Sequence, residues 1–232
     1  MPKFRAVLFD VDNTLLDFLS MKTACCEAAV DEMIKRGLPL ERSVALNGFY
    51  SALETHGWEH PLIFQKFLAE WNGGKIDYRI LANGVVAYRR KQQSSLRPYA
   101  SVIPTLEKLR ARGIALGIVS DAPHPNGWIR LVETELQDYL DVAVYFGDTN
   151  FLKPAREPFA EAMRLLQLRP GLQNLQPHQV LMVGDVPERD IIGAQQYGMK
   201  ACFAAYGNTR NQRAPTADFT ITEFSQMERI VL

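Results

Sequence analysis

Short apolar runs alternate with amphipathic stretches along most of this chain, and that rhythm restricts the fold more than any other feature. Ala6–Phe9, Ala115–Val119, Val142–Phe146 and Val180–Val183 read as buried strands, with shorter ones at Lys200–Ala204 and Phe219–Ile221. Helices are predicted between them over Val102–Arg112, Gly127–Leu140, Glu157–Leu168 and Arg189–Tyr197. Gly113 and Gly198 stop the first and last of these, as helix-terminating glycines do. A Pro- and Gln-rich loop, Arg169–Gln179, separates the third helix from the next strand. Strands alternating with helices imply an α/β fold, a doubly wound parallel sheet with helices on both faces.

One segment breaks the rhythm. From Phe18 to Gln93 no convincing strand occurs, and the pattern is helical throughout. Helices are predicted at Met21–Arg36, Val44–Thr55, Pro61–Glu70 and Asp77–Gln93, the first ending at Gly37 with Pro39 just beyond. The expected organisation is a core built from residues 1–17 and 95–232, with 18–94 as an α-helical insertion after the first strand.

Composition excludes several classes of function. Twenty-six Lys and Arg balance twenty-six Asp and Glu, and no long basic run occurs, so nucleic acid is not an expected partner. No apolar run is long enough to span a bilayer, so no membrane partner is expected either. The chain enters its first strand almost at once, without a signal-peptide pattern. Three cysteines, Cys25, Cys26 and Cys202, have no ligand spacing and suit a reducing compartment without disulfides. A cytoplasmic location is the expectation, as monomer or homodimer.

The chemistry gathers where strands end. The first strand runs into Asp10-Val11-Asp12-Asn13-Thr14, the second into Ser120-Asp121. The loop after Val142–Phe146 carries Lys153-Pro154, and the fourth strand runs into Gly184-Asp185, with Asp190 five residues on. In a parallel sheet these ends share one edge, where ligands bind. Acids, a hydroxyl and a lysine together suit a phosphate held with a hard divalent cation. Carboxylate oxygens select Mg²⁺, and lysine supplies a point charge for phosphate.

The set, in this order, closely resembles the haloacid dehalogenase-like hydrolase superfamily, specifically members with a helical cap. The family's D-x-D-x-T motif is matched by Asp10, Asp12 and Thr14; its Ser/Thr after an apolar strand by Ser120; its Lys before Pro by Lys153; its G-D-x-x-x-x-D by Gly184, Asp185 and Asp190. Asp121 stands where many relatives carry Asn. Ser-Asp here, with the helical insert, is similar to archaeal-type small-molecule phosphatases of the superfamily.

The resemblance implies a Rossmann-like core, an inserted cap and a Mg²⁺-dependent phosphatase acting on small phosphorylated metabolites such as sugar or triose phosphates. It implies Asp10 as nucleophile, forming an aspartyl-phosphate, and Asp12 as general acid and base. Asp10, Asp12 through its backbone carbonyl, and Asp185 are then expected at the metal. Asp190 is expected as a water-mediated ligand or as the orienter of Lys153. Ser120, Asp121 and Lys153 are the expected phosphate-binding group, and Thr14 shapes the first loop. Asp12 favours phosphate transfer over haloacid dehalogenation, because halide leaves without a proton. A phosphomutase and a catalytically silent binding protein are the alternatives.

Other polar residues have ordinary readings. His56 and His60 have helical ligand spacing, but Gly57 and Pro61 interrupt the helix that would present them. His124 falls in a stiff Pro-rich turn, and Cys25-Cys26 read as small apolar residues of a helix.

Overall fold

The computed structural model describes residues 3–209, 212 and 216–232. The chain divides into two compact units, one made of Met1–Phe18 with Leu96–Leu232 and the other of Leu19–Ser95.

The first unit holds a six-stranded sheet: β1 (Ala6–Phe9), β2 (Ala115–Val119), β3 (Val142–Val144), β4 (Val180–Gly184), β5 (Lys200–Ala204) and β6 (Phe219–Ile221). Their order across the sheet is β3-β2-β1-β4-β5-β6, and every pair is parallel. The apolar runs of β1 and β4 have no polar alternation because both faces are covered, and every residue of these two strands is buried. On one face Ala6, Leu8, Val180 and Met182 join Phe159, Ala162 and Leu166 in a single apolar cluster. On the other, Phe9 meets Phe224 with ring centroids 5.6 Å apart.

The second unit is built from α1 (Phe18–Lys35, whose first residue still belongs to the first unit), α2 (Arg42–His56), α3 (Ile63–Trp71) and α4 (Tyr78–Ser95). They enclose their own apolar core, in which the Phe49 ring lies 5.1 Å from Phe64 and 5.2 Å from Phe67. α2 ends at His56 because Gly57 takes φ +102°, a left-handed value that suits glycine. The sheet unit adds α5 (Val102–Ala111), α6 (His124–Glu133), α7 (Phe146–Thr149), α8 (Arg156–Gln167), α9 (Gly193–Tyr197) and α10 (Met227–Val231).

Three elements depart from the sequence reading. The helix expected over Gly127–Leu140 stops at Glu133, since Glu135 takes φ +59° and only a short 3₁₀ turn, Leu136–Tyr139, follows. The strand expected over Val142–Phe146 ends at Val144, because the Asp148 carboxylate accepts the Tyr145 N–H at 2.7 Å and turns the chain into α7. The helix expected over Arg189–Tyr197 opens with a π-helical turn, Pro187–Ile192, before α9. Such turns are common at functional sites, and this one carries Asp190.

The two chain crossings between the units run side by side. Leu16 and Pro98 form an antiparallel bridge, and the Tyr99 N–H donates to Leu15 O at 3.0 Å.

Candidate active site

The strand order reverses direction at β1, between β2 and β4, and doubly wound sheets bind ligands in the crevice at such a switch point. Asp10 is the first residue past β1, and its N–H continues the ladder by donating to Val183 O at 2.9 Å. Asp185 is the first residue past β4. Two acids are therefore delivered to the crevice by adjacent strands. Val11 is fully buried, and its carbonyl accepts the N–H groups of Leu15 and Leu16 at 2.9 and 3.1 Å, closing the Asp10–Thr14 segment into a tight loop. Thr14 donates from Oγ1 to Asp185 Oδ1 at 3.3 Å, and Tyr206 donates to Thr14 O at 2.6 Å.

Lys153 stands in the loop between α7 and α8 and ties the site together. Its ammonium donates to Asp10 Oδ1 at 2.7 Å, Asp190 Oδ1 at 2.6 Å and Val119 O at 2.8 Å, with its side chain wholly buried. Those three acceptors match the three donors of an ammonium group. Asp190 reaches this position because Gly184 has no side chain: a Cβ there would lie 2.3 Å from the Asp190 carboxyl carbon. The other Asp190 oxygen accepts the Val186 N–H at 2.9 Å.

Asp10, Asp185 and Asp190 each offer an oxygen, and these atoms lie within 4.8 Å of one another. Three buried acids so close resist ionising together. Burial pushes Asp185 up to about 8; Asp10 and Asp190 reinforce the shift, and Lys153 only partly opposes it. Burial raises Asp190 as well, against the pull of Lys153. For Lys153 burial works downward, but the carboxylates of Asp10, Asp190 and Asp121 prevail and hold it above the ordinary lysine value. One lysine does not neutralise three carboxylates. A hard divalent cation fits this buried, all-oxygen donor set.

The remaining expected residues border this centre. The Ser120 hydroxyl, almost buried, accepts the Ala122 N–H at 3.2 Å. Asp121 uses one oxygen to accept the Lys153 N–H at 2.9 Å and pairs the other with Arg189 at 3.1 Å. Its carboxylate thus anchors the Lys153 backbone, and Arg189 offsets its charge. The Asp12 side chain lies outside the three-acid cluster and pairs with Arg130 at 2.7 Å. A small polar cavity of about 70 Å³ adjoins the acids, lined by Asp12, Asn13, Asp185, Arg189 and Asn208 among others.

Arg130, Arg189, Tyr206 and Asn208 were not expected from sequence. For Arg130 a signal existed: on α6 it shares the buried face with Gly127 and Leu131, where an arginine needs a partner. Arg189 and Asn208 sit in ordinary polar surroundings and gave none. His56 lies 3.1 Å from Glu70, and His124 lies 3.3 Å from Asp148, so neither joins the acids. Burial pushes the Cys25 thiol up to about 11 and Cys26 to about 12, which makes neither a nucleophile.

Comparison with known proteins identifies the family. Glyceraldehyde 3-phosphate phosphatase of Pyrococcus furiosus is 26% identical over 236 aligned positions, covering 100% of this chain and 94% of the relative. Pyrophosphatase PpaX of Bacillus cereus is 24% identical, covering 88% of this chain and 84% of the relative. Among solved structures, a HAD phosphatase from Thermococcus onnurineus superposes with a TM-score of 0.71 at 27% identity, covering 97% of each chain. The family description "Haloacid dehalogenase-like hydrolase" matches residues 7–204, and with this sheet and this site the chain belongs to that family.

Proposed function

We propose that this protein is a Mg²⁺-dependent phosphatase that hydrolyses small phosphorylated metabolites, sugar or triose phosphates, through a phosphoryl group carried on Asp10. The observation that carries the reading is Lys153: a buried ammonium bonded to Asp10 and Asp190 at the switch point of a parallel sheet. The names of the Pyrococcus and Bacillus relatives support a small phosphate ester or anhydride as substrate.

Asp10 attacks phosphorus as the ester oxygen departs, which converts the ester into an acyl phosphate that water hydrolyses more readily. Lys153 and the Ser120 hydroxyl stabilise the charge that accumulates on the phosphoryl oxygens. Asp12 gives a proton to the leaving oxygen and later takes one from the attacking water. Mg²⁺ would be held by Asp10, Asp185 and the Asp12 backbone carbonyl, with Asp190 orienting Lys153, and would supply Lewis-acid polarisation of the phosphoryl group.

The unit Leu19–Ser95 serves in this reading as a cap that chooses the leaving group. Its separate core lets it move as one body, and its paired crossings at Leu16 and Pro98 supply a hinge. No helix among the described residues is long and apolar enough to cross a membrane, and Cys25, Cys26 and Cys202 are buried free thiols; we place the protein in the cytoplasm.

A panel of phosphorylated metabolites, ranked by kcat/KM with Mg²⁺ and with excess EDTA, tests the proposal. Turnover of sugar or triose phosphates that vanishes with EDTA and returns with Mg²⁺ is the expected result. Full turnover in EDTA would sink it. Replacing residues 19–95 by a short linker should reorder the substrates while leaving Mg²⁺ affinity nearly unchanged.

A further inference from the structure

α6 delivers an arginine to Asp12, and the local packing shows how its position is fixed. The Tyr145 ring lies against Gly127, so closely that a Cβ on Gly127 would fall 2.1 Å from the ring's Cε1. His124 and Trp128, also on α6, meet the same ring with centroids 5.7 and 5.8 Å away. Tyr145 itself is held by its N–H bond to Asp148. Three residues on from Gly127, one turn along the same helix face, stands Arg130. Its guanidinium donates to Asp12 Oδ2 at 2.7 Å and stacks over the Phe18 ring at 4.3 Å. The Arg130 side chain is only 5% exposed, while Asp12 retains 27%.

We infer that Arg130 is the positioning residue for Asp12, fixing the direction in which its carboxylate meets the leaving group and then the attacking water. The inference rests on the proton-transfer role proposed for Asp12. An arginine does not give up its proton in a protein, so its bond to Oδ2 is permanent scaffolding. An aspartate on a surface loop has two soft side-chain torsions, and misplacing a proton donor by about 1 Å costs on the order of a hundredfold in rate. The buried arginine, clamped between Asp12 and Phe18, removes that freedom.

The test is leaving-group dependence in full-length enzyme with Mg²⁺. Substrates would run from 2,4-dinitrophenyl phosphate, which needs little protonation, to phenyl and glycerol phosphates, which need it most. Arg130→Met should lower kcat about tenfold or more on the poor leaving groups, less than about threefold on the best, and leave KM within about twofold. Arg130→Lys should recover part of the loss and guards against a methionine variant that fails to fold. In an Asp12→Ala background, Arg130→Met should cost nothing further, because the residue acts only through Asp12. A loss equal across leaving groups, or full additivity in the double variant, would overturn the role of Arg130. Asp12→Ala with native leaving-group dependence would overturn the reading of Asp12 and this inference with it.

Discussion

Replacing Lys153 with methionine keeps most of the side-chain volume and removes the charge. The wild-type ammonium is wholly buried and bonded to Asp10, Asp190 and the Val119 carbonyl. Without it, Asp10, Asp185 and Asp190 face one another with oxygens inside 4.8 Å, and at an effective dielectric of about 20 each ionised pair repels by roughly 3.5 kcal/mol. Protonation relieves part of this, so the net loss should be that of a broken buried pair, about 3–5 kcal/mol. For a chain of this length that lowers the melting temperature by roughly 6–20 °C. The loss should depend on pH, with a definite sign. Acids whose folded pKa lies above the unfolded value contribute stability that is present below the unfolded pKa and lost as pH rises through the folded one. Asp185 already sits at about 8 with the lysine present, so the wild type itself loses this contribution between about pH 4 and about pH 8, and the variant, with no ammonium to offset the acids as they ionise, loses more across the same range. Melting followed by circular dichroism in EDTA should show a larger deficit at about pH 8 than at about pH 5.5. A variant within roughly 2 °C of wild type at the higher pH, or a deficit equal at both, would refute the electrostatic account.

Three further outcomes follow from the same geometry. Asp10→Asn should fold normally yet lose more than roughly a thousandfold in kcat, since an amide cannot form the acyl phosphate; steady-state kinetics with a melting control decides it. Mg²⁺ should raise the melting temperature of the wild type, and by more at about pH 8 than at about pH 5.5, because the acids that would bind it lose their protons across that range; equal stabilisation at both would contradict the raised Asp185. Gly127→Ala should destabilise by about 1–3 kcal/mol through collision with the Tyr145 ring, measurable by urea titration, whereas an unchanged midpoint would mean α6 yields more freely than its packing implies.

The sheet and its acidic edge were legible in the sequence because both depend on short-range signals. Ala6–Phe9 and Val180–Val183 are apolar on both faces, Asp10 follows the first directly and Asp185 the second after one glycine, so predicting the strand also places the acid. Lys153 was legible only through its motif, since nothing local indicates that a lysine seven residues after α7 begins will turn inward beneath Asp10. Arg189 was not legible as a site residue, and for Arg130 the sequence signalled only an arginine on a buried helix face, without saying which acid it meets. Where a helical side chain lands depends on how its helix packs, and for α6 that is set by the Gly127–Tyr145 contact between residues eighteen positions apart. The break after Glu133 was hidden for a related reason: Glu135 adopts a left-handed conformation that its residue type does not announce.

The side-by-side crossings at Leu16 and Pro98 have a consequence for how such a chain can change over generations. Because the intervening residues leave and re-enter through one bridged pair of segments, they behave as a cassette. Residues may be added to, removed from or exchanged within 19–95 without shifting the register of β1 against β2 and β4, which holds Asp10 and Asp185. In the reading proposed above, in which 19–95 chooses the leaving group, reaction and recognition are thereby separated in the sequence itself. A duplicated copy could acquire a new substrate by rewriting about a third of its length while the machinery for moving phosphate stayed untouched.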